Sequence, residues 1–209
     1  MLRDQLSIAE IAPAKFREFA KRFATSPEIG PIQTSLDGGI DSPNDCDRVL
    51  FGLWGCDTLC AVACFHLYRS ARDSSQHALK LDSVVVDDRL RRRGLAGFLV
   101  TKVLADLVDD ADRNIIQVYA HSVHPATVRL LRRLDFDDPQ ATGAPISSVN
   151  VEGANREEFL KICRNQILNQ MGQIKLQCEF CRKGDRRSRP WCLPRGEKPL
   201  VRTTQDGTK

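Results

Sequence analysis

Between Val84 and Leu107 the sequence VVVDDRLRRRGLAGFLVTKVLADL carries the residues best suited to chemistry. Val84, Val85 and Val86 form an uninterrupted β-branched run, which reads as a buried strand. A basic turn follows, Arg91-Arg92-Arg93-Gly94-Leu95-Ala96-Gly97, and then a helical pattern that puts Leu95, Leu99, Val103, Leu104 and Leu107 on one face. A helix start offers unpaired N–H groups and a partial positive charge, so strand, glycine turn and helix in this order can seat a phosphate or pyrophosphate. The spacing matches neither the Walker loop nor the Gly-x-Gly-x-x-Gly dinucleotide fingerprint.

A second constellation lies near the end of the chain. Cys178-Glu-Phe-Cys181, with Cys192 after Trp191, has the spacing of half a zinc site, and the fourth ligand would be Cys163 on the preceding helix or a residue folded back from the core. Such a metal would be structural. Free or partly oxidised thiols are the alternative. Arg182-Lys183 and Arg186-Arg187-Ser188-Arg189 beside Trp191 suit RNA or DNA phosphates and one stacked base, with a solvated basic end as the plainer explanation.

The run VVVDDRLRRRGLAGFLV, with Arg91-x-x-Gly94-x-Ala96 at its centre, resembles the acetyl-CoA signature of the GNAT acyltransferases, and Asn114 to Phe136 resembles that family's next strand and helix. The resemblance covers about residues 48 to 137. It implies an α/β (α+β) fold with a mixed, mostly antiparallel sheet whose central strands splay apart between flanking helices. It also implies that acetyl-CoA lies against the strand Val84, Val85, Val86 with its pantetheine arm on the main chain of Val84 and Val86. The pyrophosphate would rest on the N–H groups of Arg91, Arg92, Arg93, Gly94, Leu95, Ala96 and Gly97, with small residues allowing close approach. An acceptor amine would attack the thioester directly while both substrates are bound, and the Val86 N–H would polarise the carbonyl.

The family's acid–base residues are not all present. Its Tyr-x-x-x-Gly-Phe motif reads Leu131-Arg-Arg-Leu-Asp135-Phe136 here, so the proton-donating Tyr is replaced by Leu131, and the strand position that carries Glu in some members is Lys80. The candidates left are Asp82, Tyr119 and His124, with His121 and Ser122 beside them. Asp82, two residues before Val84, is expected on the same side of the strand. Tyr119 can face the acceptor, and His124 replaces an Asn that often contacts the cofactor. Packing, ion pairing and helix capping are the competing explanations, and transfer through water alone remains open.

With 209 residues, 42% of them hydrophobic, the chain is long enough for one core plus an appendage. The expected division is an acyltransferase domain over 1–153, then a helix from Asn155 to Met171 and a basic cysteine-containing tail within 154–209. Gln5–Ile11, Arg48–Trp54, Leu59–Tyr68, His77–Val86, Asn114–Ala120 and part of Ala144–Val151 read as strands. Pro13 and Pro125 suit helix first turns, and Thr25–Asp47 reads as a long loop walling the acceptor site or as a plain insertion. Alternation puts Cys60, Val62, Cys64 and His66 on one face, where His66 reads as structural.

No apolar run approaches the ~20 residues that span a bilayer. The opening MLRDQLSIAEIAPAK lacks a signal peptide's apolar core, and cysteines in apolar surroundings suit a reducing compartment, so a cytoplasmic location is expected. The net charge of +4 resides in the tail, where nine Lys or Arg face three acids between Lys175 and Arg202. The leading expectation is an acetyl-CoA-dependent N-acetyltransferase acting on a protein or small-molecule amine, as a monomer or homodimer. The rivals are a nucleic-acid-associated or regulatory protein with a degenerate domain of this type, and a family member that modifies aminoacyl-tRNA.

Overall fold

The structure, a computed structural model, describes residues 6–22, 46–55, 58–70, 73–121, 125–137 and 146–183; at 58, 89 and 175–183 it describes the backbone alone. Six strands lie in the sheet in chain order: β1 (Leu6–Glu10), β2 (Cys46–Gly55), β3 (Thr58–Arg69), β4 (His77–Val86), β5 (Ile115–Ala120) and β6 (Ser147–Asn150). All neighbours are antiparallel except β4 and β5. A parallel pair needs a crossover, which α2 (Leu95–Asp109) supplies. The other helices are α1 (Pro13–Arg22), α3 (Pro125–Arg133) and α4 (Ala154–Lys183). This is the mixed, mostly antiparallel architecture that the sequence leads one to expect.

The sheet separates two apolar layers. On one face Phe16, Phe19 and Ala20 of α1 pack with Leu50, Trp54, Val62, Cys64 and Val85. On the other, Leu99, Val103 and Leu107 of α2 join Ala61, Ala63, Phe65, Leu79 and Leu81, with Phe159, Leu160, Cys163 and Ile174 of α4 in the same core. Cys60, Cys64 and Cys163 are buried free thiols, as their apolar surroundings predict.

Two of the three register shifts in the sheet, those on either side of β3, reset the alternation on which side-chain direction depends. One, between Leu53 and Trp54, pairs Trp54 with Leu59 and Leu53 with Ala61. Cys60 consequently leaves the face of Val62 and Cys64 and joins the opposite layer, against expectation. The second pairs Cys64 with Ser83 but Phe65 with Leu81, leaving Asp82 as the extra residue. A bulge of this kind re-aims side chains. Val84 and Val86 accordingly pack toward the α2 layer, while Asp82 meets Lys80 on the α1 side. The expectation that Asp82 and Val84 share a face is corrected by that extra residue.

Two helix ends follow their sequences closely. α3 begins at Pro125, where proline costs no intrahelical hydrogen bond. It ends with Asp135 at φ 62 and a bond from Phe136 N to Leu131 O of 3.1 Å. Aspartate can adopt this left-handed conformation with its short polar side chain, so it caps the helix where the family motif has glycine.

α4 runs well past the expected end at Met171. Its Gln170 is buried and reaches the first turn of α2: a Cβ built on Gly97 would stand 2.8 Å from Gln170 Nε2. The small residue at 97 thus makes room for α4, a role the sequence alone did not assign to it. A double-mutant cycle checks this contact. Alanine at 97 should gain helix propensity freely in a Gln170→Ala background and less so in the wild type, with a coupling of about 0.5–1.5 kcal/mol in urea unfolding. A coupling near zero would mean that the two side chains do not meet.

Candidate functional site

The pairing of β4 with β5 runs from His77↔Ile115 to Leu81↔Ala120 and stops, while β4 stays paired with β3 as far as Val86. Among the described residues no strand takes the free side of 82–86. Main-chain direction there follows from one bond. Asp87 N donates to Cys60 O at 2.9 Å, so the groups of Asp87 and, two residues back, Val85 point at β3. The alternating N–H and C=O groups of Val84 and Val86 therefore point away from β3, into the gap.

Beyond β4 the chain tightens at once. Asp87 O accepts from Leu90 N at 2.8 Å, closing a 3-10 turn over Asp88–Leu90. Arg92 has φ 62 and Gly94 has φ 78, so the chain passes twice through the left-handed region before α2 begins. No side chain of Gly94 caps the helix, and space is open where a Cβ would stand. The first N–H groups of α2, those of Leu95, Ala96 and Gly97, have no intrahelical partner by geometry, since the 2.9 Å bond from Phe98 N to Gly94 O is the first. Arg91 is exposed and pairs with Asp88 at 2.7 Å, Arg92 is exposed, and Arg93 is half-buried.

A polar group crosses the α1 face of the sheet beside this gap. Lys80 Nζ meets an Asp82 oxygen at 3.1 Å, and Arg48 Nε donates to His66 Nε2 at 3.3 Å. His66 Nδ1 lies 3.3 Å from Tyr68 Oη and 3.6 Å from Cys46 Sγ. The Tyr68 and Tyr119 rings stand 6.2 Å apart, and Tyr119 pairs with Lys80 across the β4–β5 ladder. Burial lowers the His66 pKa, and the Arg48 and Lys80 charges add to that against the opposing pull of Asp82. Burial raises both phenols; a hydrogen bond from Tyr68 tempers the effect at Tyr119.

Of the candidate catalytic residues, Asp82 and Tyr119 are thus brought together in one group, His121 is exposed at the end of β5, and Ser122 and His124 lie outside the described residues. Sequence reasoning passed over Cys46, Arg48 and Tyr68 and took His66 as structural. Their signal was available: each strand carries polar residues two apart at the same end, Cys46 and Arg48, His66 and Tyr68, Lys80 and Asp82. Leu131, at the family's Tyr position, is buried in the core.

Cys64 Sγ, a His66 nitrogen and an Asp82 oxygen lie within 4.8 Å of one another. Charge argues against a cation among them, because Arg48 and Lys80 already engage the histidine and carboxylate, and burial, followed by the Asp82 charge, pushes the Cys64 thiol up to about 12. The expected zinc ligands fare differently. Cys178 and Cys181 lie on α4, their side chains outside the described residues, as is Cys192 altogether. Cys163 and Cys178 stand fifteen residues apart on one continuous helix, about 22 Å at the α-helical rise. Ligands of one zinc ion sit within a few ångströms of each other, so Cys163 does not complete a site with Cys178.

No protein-family model matches the sequence, and no curated protein matches it. Solved structures give remote likenesses. Arabidopsis thaliana NAA60, solved in complex with a bisubstrate analogue, is 17% identical over 63% of this chain and 83% of its own, with a TM-score of 0.46. The spermidine/spermine N-acetyltransferase SpeG from Vibrio cholerae is 11% identical over 76% of this chain and 98% of its own, with a TM-score of 0.48. An aminoglycoside acetyltransferase from an uncultured soil metagenomic sample is 12% identical over 63% and 88%, with a TM-score of 0.43. At that distance none of them speaks for this chain's substrate or activity.

The lowered His66 pKa has a consequence for stability. As pH falls, the unfolded chain protonates this histidine first, near its ordinary value of about 6.5, and the folded chain only later. Stability held by the neutral ring is complete above the ordinary value and is lost as pH falls toward the folded one. His66→Gln should therefore flatten the decline in urea-unfolding stability between about pH 7 and pH 5. Equal declines in wild type and variant would show that burial does not hold the ring neutral.

Proposed function

We propose that the chain is an acyl-CoA-dependent N-acyltransferase of the GNAT type, transferring acetyl from acetyl-CoA to a primary amine by direct attack. The observation that carries this reading is the meeting of two features. The outward main chain of Val84 and Val86 lies in an unpaired gap, and a few residues later an uncapped helix start follows the left-handed turn at Gly94. An extended amide-bearing arm ending in a pyrophosphate matches both, since its amides can pair like a strand and its phosphates suit the N–H groups of Leu95, Ala96 and Gly97. Val84, Val85 and Val86 would line the arm, and Arg91, Arg92 and Arg93 would offset phosphate charge.

In this reading the thioester lies at the open end of β4, with the Val86 N–H toward its carbonyl oxygen. The amine enters from the α1 face, where Asp82 and Tyr119 stand. Its nitrogen attacks the carbonyl carbon, a C–N bond forms, negative charge gathers on oxygen, and the C–S bond then breaks. The departing thiolate needs a proton. Tyr119, whose pKa is raised by burial, keeps its proton at neutral pH and can give it up to the sulfur, taking back through water the proton that the nitrogen sheds as the amide forms. Asp82 is held by Lys80 and orients the acceptor rather than taking its proton; the ammonium loses that proton to water before attack.

Calorimetric titration with acetyl-CoA tests the reading. Gly94→Ala and Gly94→Glu carry the same left-handed backbone strain, worth about 1 kcal/mol, and differ in bulk and charge. Micromolar binding should persist in the alanine variant and vanish in the glutamate variant. A folded wild-type protein that does not bind acetyl-CoA would overturn the assignment.

A further inference from the structure

Arg48, His66, Tyr68 and Tyr119 come from three strands, and the direction of the hydrogen bonds among them follows from what each group can do. A guanidinium only donates, so the 3.3 Å contact of Arg48 Nε makes His66 Nε2 the acceptor. A neutral imidazole that accepts at Nε2 carries its proton on Nδ1. That proton faces Tyr68 Oη at 3.3 Å and Cys46 Sγ at 3.6 Å. Tyr68 Oη thus receives a hydrogen bond and must place its own hydrogen elsewhere. Tyr119, whose ring stands 6.2 Å from that of Tyr68, and Cys46, which shares His66 Nδ1 with Tyr68, are the acceptors beside it, and a thiol sulfur is the weaker of the two. With its oxygen receiving that bond, Tyr119 keeps its own hydrogen for a group entering beside β4 and β5.

The geometry points to His66 as a positioning residue: fixed by Arg48 as the Nδ1–H tautomer, it sets the direction of the Tyr68 hydroxyl and through it presents Tyr119 as a proton donor. Burial keeps the ring in the neutral form that this arrangement needs. Among the described residues, the charged and titratable groups around the chain of bonds are Cys46 and Arg48 on β2, Cys64 on β3, and Lys80 and Asp82 on β4. Hydrogen bonds in such a series polarise one another, so each donation strengthens the next. What Tyr119 donates to rests on the acyltransferase reading, whereas the tautomer and the direction of the bonds do not.

The chain contains two tyrosines, so a 13Cζ-tyrosine label gives one signal each for Tyr68 and Tyr119. NMR of the full chain with this label and 15N-histidine reads the arrangement without any acceptor, and Tyr68→Phe assigns the two signals. The expected result is the Nδ1–H tautomer at His66 and a Tyr119 signal that shifts at neutral pH, and titrates higher, in Tyr68→Phe and His66→Leu. His66→Gln should retain the wild-type Tyr119 signal, because its amide can accept from Arg48 and donate to Tyr68. An Nε2–H tautomer would overturn the proposal, as would a Tyr119 signal indifferent to both Tyr68→Phe and His66→Leu. Should His66→Leu fail to fold, the wild-type tautomer and Tyr68→Phe decide it. The expected tautomer and tyrosine response in a protein that does not bind acetyl-CoA would sustain the positioning role and remove the acyltransferase reading alone.

Discussion

A β-strand interrupted on one side must leave main-chain groups that want partners, and this protein is arranged around one such place. β4 is held by β3 along its length but by β5 only as far as Leu81. Unpaired N–H and C=O groups are tolerable where water or a ligand can reach them and costly where neither can. The gap beside Val84 and Val86 consequently offers main-chain donors and acceptors whose pattern is set by the backbone, with no side chain needed to define it. The parallel pairing requires a crossover from β4 to β5, and here that crossover places the start of α2 a few residues beyond the strand's end.

The bulge at Asp82 does the complementary work on side chains. Without the extra residue, the alternation of β4 would continue and the side chain of Asp82 would lie on the face of Val84 and Val86. With it, β4 turns Val84 and Val86 to the α2 layer and Lys80 and Asp82 to the α1 face. One irregularity thereby separates a main-chain surface from a polar side-chain group only two residues away. The histidine and two tyrosines in that group are pulled in one direction by burial, which disfavours their charged forms. They are suited to holding and directing protons rather than to carrying charge.

The parts of this arrangement written locally were legible in the sequence. Val84–Val86, the glycine turn, the α2 stripe and the proline that opens α3 each follow from neighbours within a few positions. The strand bounds were recovered to within three residues for the same reason. The two bulges were not, because an extra residue is defined by its cross-strand partner, and Cys60 and Asp82 were each assigned the wrong face. The polar group was read in part. Asp82 and Tyr119 were named, while Cys46, Arg48 and Tyr68 were missed because they gain meaning only when β2, β3 and β5 align. The length of α4 was hidden by Gly172 and by a polar composition after Met171, and its continuity is what separates Cys163 from Cys178.

The gap beside Val84 and Val86 is most directly tested by residue-resolved amide hydrogen exchange across β4. Without ligand, the Val84 and Val86 amides should exchange much faster than those of Val85 and Asp87, which face β3. Acetyl-CoA should slow the first pair selectively. Val84 and Val86 amides that are already protected in the free protein, or that exchange at the same rate with and without acetyl-CoA, would contradict the account.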